Sequence, residues 1–210
     1  MRPLLFGGKN MNLYPYNPDS QRLKAGESSI DRAFCAHFEV SATNAVAADT
    51  DGIHVAITDT GEEQEITTEI TNPAIPRNIT ATAGGTAADI GAIEIVVEGT
   101  NANGEEITET LPAFTVNTAG SVTGSKAFKT VTKITVPAHD DTGATTAIGF
   151  GSKLGLPFKL AHNTCEMAFL DNTKESIAPT VAVSSTALES NTITLNSSLA
   201  GKVVDAYFLI

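Results

Sequence analysis

The chain has 210 residues, of which 41% are hydrophobic but only 6% aromatic, with no Trp, so it can bury a sizeable core built mainly from Val, Ile, Leu and Ala. A net charge of −11, from 24 acidic against 13 basic residues, argues against a nucleic-acid partner, because neutralising phosphates takes a basic surface. No apolar run approaches a membrane span, the longest being stretches such as Ile93–Val97, and Met1–Asn10 breaks at Gly7-Gly8 without the apolar centre of a secretion signal. The expectation is a protein made in a cytoplasm, with no membrane and no nucleic acid among its partners.

Residues 1–36 differ from the rest. Arg2, Lys9, Arg22, Lys24 and Arg32 place five of the 13 basic residues in the first sixth of the chain. Leu13-Tyr14-Pro15-Tyr16-Asn17-Pro18 favours extended backbone, since a residue before proline is pushed out of the helical region. This segment reads as an extended basic arm on an acidic body. It either attaches to an acidic partner surface, with Tyr14 and Tyr16 as anchors beside the five cations, or packs on its own domain.

From residue 37 the pattern is strands and turns. Period-two alternation, which sends successive side chains to opposite faces of a sheet, predicts strands over 37–41, 52–58, 64–70, 77–82, 93–99, 106–111, 116–122, 129–136, 146–150, 166–170, 180–184, 192–195 and 203–210. Abundant Thr fits the wet face of such strands, its branched Cβ suiting a pleated surface. Asn103-Gly104 supplies the positive φ angles of a tight turn, which makes 93–111 the clearest hairpin. Gly61-Glu62-Glu63 and Gly104-Glu105-Glu106 echo one another, each followed by an Ile-Thr strand and a proline, so both read as hairpins, by duplication or by convergent turn chemistry. The apolar end, Val203–Ile210, should be paired in a sheet or a subunit interface. Many short strands at regular spacing imply an all-β fold, a β-sandwich or barrel-like body over 37–210, with 166–210 as an optional late subdomain.

No constellation for catalysis stands out, and the expectation is a non-enzyme without cofactor. His37 and His54 fall in strands and His162 in a loop. His139, in Pro137-Ala138-His139-Asp140-Asp141, has carboxylates beside it, and Asp49-Thr50-Asp51-Gly52 is a second acidic cluster. Neither has the ligand count of a calcium loop, so both read as turns and no metal site is expected. Gly120-Ser121-Val122-Thr123-Gly124 is not a nucleophile elbow, and Gly84-Gly85-Thr86 is not a phosphate loop. The acidic residues around 62–65 and 105–109 have no aromatic platform of the kind a glycosidase uses. Cys35 and Cys165, each in an apolar neighbourhood, read as small buried hydrophobes, with pairing as the alternative.

The middle of the chain carries a resemblance. Asn72-Pro73-Ala74-Ile75-Pro76-Arg77-Asn78-Ile79-Thr80-Ala81-Thr82, then Val97-Glu98-Gly99-Thr100-Asn101 with Gly104–Leu111, then Ala127–Thr132 and Val136–Asp140 through Gly155-Leu156-Pro157, resembles a segment of structural proteins of tailed bacteriophages. β-rich virion proteins of this size are commonly head decoration, or cement, proteins. The resemblance implies a protein on the outer surface of the virion head that binds the major capsid protein and copies of itself, with a trimer as one form. A tail tube or tail-tip protein, or a host-surface binding module, are the alternatives. It implies no catalytic residue.

Overall fold

The computed structural model describes residues 33–210 together with two short strands, β1 (Leu23–Ala25) and β2 (Ser28–Ile30), which pair antiparallel with Leu23 opposite Ile30. The chain divides into two compact units, Met1–Phe34 and Cys35–Ile210. The second unit is all-β: its only other regular elements are two three-residue 3-10 turns, Ala87–Asp89 and Leu188–Ser190. Its strands are β3 (Cys35–Val40), β4 (Asp49–Thr58), β5 (Gln64–Ile66), β6 (Arg77–Gly85), β7 (Val96–Thr100), β8 (Glu106–Thr110), β9 (Gly120–Phe128), β10 (Thr130–Val136), β11 (Ala144–Gly155), β12 (Cys165–Leu170), β13 (Thr173–Lys174), β14 (Thr180–Ala182), β15 (Thr192–Thr194) and β16 (Val204–Leu209).

Three antiparallel sheets arise from these strands. The largest runs β14-β15-β11-β6-β9, with β4 also paired to β11; the second runs β5-β10-β7-β8, and the third β13-β12-β16-β3. The first two enclose one core. Ile79, Ala81 and Ala83 alternate inward along β6, and Ile134 and Val136 along β10, closing on Ile53, Val97, Phe128 and Ile148. The third sheet buries Val40, Ala168, Leu170, Val204, Ala206 and Phe208 against Leu154, Leu156, Ile193 and Leu195, a second core. β11 is long enough to serve both. Residues 145–150 pair with β4, whereas Leu154 and Gly155 pair with β15.

The terminal strand β16 lies between β12 and β3 and so is paired on both edges. Both cysteines are free, and Cys35 is exposed rather than buried. β16 separates their two strands. At about 4.8 Å per strand spacing their Cα atoms stand roughly 9–10 Å apart, beyond the ~7 Å reach of a disulfide.

Local readings change in four places. The β7–β8 hairpin exists, with Thr100 opposite Glu106, but its loop spans five residues, 101–105. The Asn101 side chain organises it, Oδ1 accepting from the Asn103 and Glu105 amides, and Gly104 alone of the Asn-Gly pair lies at positive φ, +81°. The two-residue turn is instead Asp171-Asn172, where φ is 46° and 61°, as a tight hairpin joining right-twisted strands requires. The Gly61-Glu62-Glu63 echo is no hairpin, because β4 pairs with β11 in one sheet and β5 with β10 in another. What the two segments share is an Asx turn, Asp59 accepting from the Gly61 amide as Asn101 does from Asn103, which favours convergent turn chemistry. Finally, Asp49–Gly52 is not a turn but the start of β4. Its ladder slips there, Phe150 facing Asp49 and Ile148 facing His54, and a Cβ on Gly52 would meet Phe150 at 2.6 Å.

Candidate functional site

Buried charged and amphoteric side chains are where chemistry would be sought, and each has a local origin here. β6 is flanked by two bulges. On one side Ile79 faces Phe150 while Arg77 faces Leu154, leaving two extra residues on β11; on the other Thr80 faces Thr123 while Asn78 faces Ala127, leaving two extra on β9. A bulge strips backbone groups of their ladder partners, and buried groups must then be satisfied by other means.

Side chains supply those partners. Arg77, only 1% exposed, donates to the Gly151 carbonyl from Nε and Nη2 and to the Val46 carbonyl at 3.1 Å, with its guanidinium over the Phe150 ring. Burial lowers its pKa to about 10, so it stays charged at neutral pH. Asn78 Oδ1 accepts from the Lys153 amide, and Lys153 Nζ reaches across to the Gly124 carbonyl at 3.0 Å. At the second bulge Glu109, buried, accepts from the Ser125 amide at 2.7 Å, the Ser125 hydroxyl at 2.8 Å and the Lys126 amide at 3.2 Å. These groups hold irregular backbone in place.

His139 is likewise interior, 7% exposed and stacked on Phe114. Its Nδ1 accepts from the Gly91 amide, so the proton sits on Nε2, which donates to Thr146 Oγ1 at 2.8 Å. Both ring nitrogens are thus engaged inside the fold. Burial pushes its pKa below the ordinary 6.5, against weaker upward pulls from Asp59 and Asp140. The unfolded chain therefore binds a proton that the native imidazole refuses, and stability falls as pH drops below 6.5. We expect the urea midpoint of the wild type to decline between pH 6.5 and about 5, above the range where ordinary carboxylates titrate. His139→Gln should decline less over that window, and equal slopes would remove His139 from the account.

The surface offers a different picture. β3 ends the third sheet, and among the described residues no strand pairs its outer edge. Beside it runs a groove of about 250 Å³, lined by Phe38, Val40, Ile75, Pro76, Lys129 and Pro157. The outward face of the same sheet carries Met167 and Phe169 on β12 and Tyr207 and Leu209 on β16, with Met167 and Leu209 each 40% exposed. On that face His37 Nε2 lies 2.8 Å from Asp205 Oδ1, Glu39 sits directly opposite Asp205, and the His37 ring stacks on Tyr207 with centroids 4.8 Å apart.

Of the anchor residues expected in the arm, Arg2, Lys9, Tyr14, Tyr16, Arg22 and Arg32 lie outside the described residues, and Lys24 stands in β1. The grouping of His37, Glu39 and Asp205 was not expected. Its local half was visible, since His37-x-Glu39 in an alternating strand puts both side chains on one face. Asp205 comes 168 residues after His37 and joins them only through sheet register. No protein-family model, no curated protein and no solved structure matches this chain.

Proposed function

We propose that this chain is a non-catalytic structural protein of a tailed-phage virion, a head decoration protein that binds the major capsid protein and copies of itself. The observation that carries the reading is the outward face of the third sheet, where Met167 and Phe169 on β12 and Tyr207 and Leu209 on β16 stand in a sheet whose β3 edge no described strand pairs. Apolar surface gathered on one face of a sheet that also offers an edge strand is what a binding surface uses. The buried polar groups Arg77, Asn78 and Glu109 are engaged by the bulges. The phage assignment rests on the resemblance over residues 72–157, and the arm supplies cations for an acidic lattice. Association of this kind stabilises a shell by mass action, since only the assembled form offers the site.

The test is binding of the full chain to undecorated heads, with tails of the same virion as the comparison. Heads should retain the protein and tails should not. Replacing Arg2, Lys9, Arg22, Lys24 and Arg32 together by Ser should weaken retention by about tenfold or more, as loss of several charge-assisted contacts would. Retention on tails alone would overturn the head assignment, and unchanged retention of the quintuple variant would remove the arm from it.

A further inference from the structure

Glu39 on β3 and Asp205 on β16 are direct cross-strand partners on an outward face, and like charges so placed repel. No Lys or Arg among the described residues forms an ion pair with either carboxylate; the one partner is His37, at 2.8 Å from Asp205. The Asp205 side chain is only 19% exposed, whereas Glu39 is exposed and has solvent to turn into. Instead the three side chains converge, with one ligand atom from each lying within 4.8 Å of the others. The imidazole is held in place by Tyr207, its opposite residue in the ladder, whose ring lies parallel to it within 9°. Stacking fixes the plane of the ring and hence the direction of Nε2.

We propose that His37, Glu39 and Asp205 form a surface site for a divalent transition-metal ion of the zinc class. One neutral imidazole and two carboxylates are a zinc-type donor set, with water completing a tetrahedron. The ion's two positive charges offset the two carboxylates, which removes the cross-strand repulsion. Bonds of about 2.0–2.1 Å set tetrahedral ligand atoms roughly 3.3–3.5 Å apart. His37 Nε2 and Asp205 Oδ1, now 2.8 Å apart, would open by about 0.5 Å and give up their hydrogen bond, and Glu39 would draw in by up to about 1.5 Å through rotation of its exposed side chain. The imidazole favours zinc, cobalt or nickel over calcium and magnesium, which take oxygen donors. Bound there, the ion ties the edge strand β3 to β16 through side chains as well as through the backbone ladder.

The experiment uses the untagged full chain, with zinc measured by competition against a chromophoric chelator at about pH 7.5. The expected result is one zinc per chain with micromolar affinity, undiminished by excess magnesium or calcium. His37→Ala and Asp205→Asn should each weaken uptake by about tenfold or more. The double variant His54→Ala/His162→Ala should keep it. Asp205→Asn retains the shape of the side chain, so it carries the comparison if His37→Ala fails to fold, and both are checked against the wild type by circular dichroism in chelator. A wild type that takes up no zinc at ~100 µM, or a His37→Ala or Asp205→Asn chain with wild-type uptake, overturns the proposal.

Discussion

Arg77→Ala should destabilise the fold by about 3–5 kcal/mol, read as a drop in the urea midpoint at unchanged slope. Its three donated hydrogen bonds go to two backbone carbonyls, Gly151 and Val46, and none goes to a carboxylate. Truncation leaves the Gly151 carbonyl buried at the β11 bulge without a donor, at about 1–3 kcal/mol, whereas the carbonyl of the exposed Val46 can turn to water. It also removes the aliphatic stem and planar head that cover Phe150, so packing is lost together with charge. Arg77→Lys should recover only part of the loss. Nε and Nη2 donate side by side to one oxygen while Nη1 turns to Val46, and an ammonium cannot reproduce that fork. A change below about 1 kcal/mol would mean that water or a backbone shift satisfies the bulge without the guanidinium.

The second large effect belongs to Asn191, fully buried after the Leu188–Ser190 turn. Its Oδ1 accepts from the amides of Leu160 and Ser184, both at 2.9 Å, and its Nδ2 donates to the carbonyls of Ser184 and Ala187 at 2.9 and 2.8 Å. One side chain thus joins the loop after β11, the end of β14 and the start of β15. Asn191→Ala orphans the Leu160 and Ser184 amides and the Ser184 carbonyl at once, while Ala187 keeps the Ser190 amide, and we expect a loss of about 2–4 kcal/mol, part of it recovered by water at Ser184. Asn191→Asp should do no better. It keeps the acceptor but sets a carboxylate oxygen against carbonyls that had received a donor, in a place where a charge is costly to bury. Hydrogen exchange would localise either change to Leu160 and residues 180–195, and uniform exchange across the body would argue against a local brace.

Where strands run was largely legible, because alternation is a local property: Ile79, Ala81 and Ala83 point inward whatever β6 pairs with. Which strand pairs with which was not. The segments around Gly61 and Gly104 share turn chemistry, yet one crosses between sheets and the other closes a hairpin. What differs is how long partners elsewhere, β11 and β10, compete for the strands on either side, and that competition leaves no mark in the turn. β9 shows the same limit from another side. Alternation suggested 116–122, whereas the strand runs 120–128 through Gly124, since the bulge that Glu109 satisfies lets the ladder continue past a residue that reads as a break.

By itself, then, the sequence determined the all-β class, the sites of most strands and the paired fate of the apolar C-terminal strand. These follow from side-chain period, turn residues and charge, all properties of neighbours along the chain. Tertiary structure alone decided the division into three sheets and two cores, the burial of Arg77, Glu109 and His139, and the meeting of His37 and Glu39 with Asp205. Each depends on register between distant strands. A one-residue slip of β16 against β3 would turn Asp205 to the opposite face and dissolve the triad, while leaving every local signal unchanged.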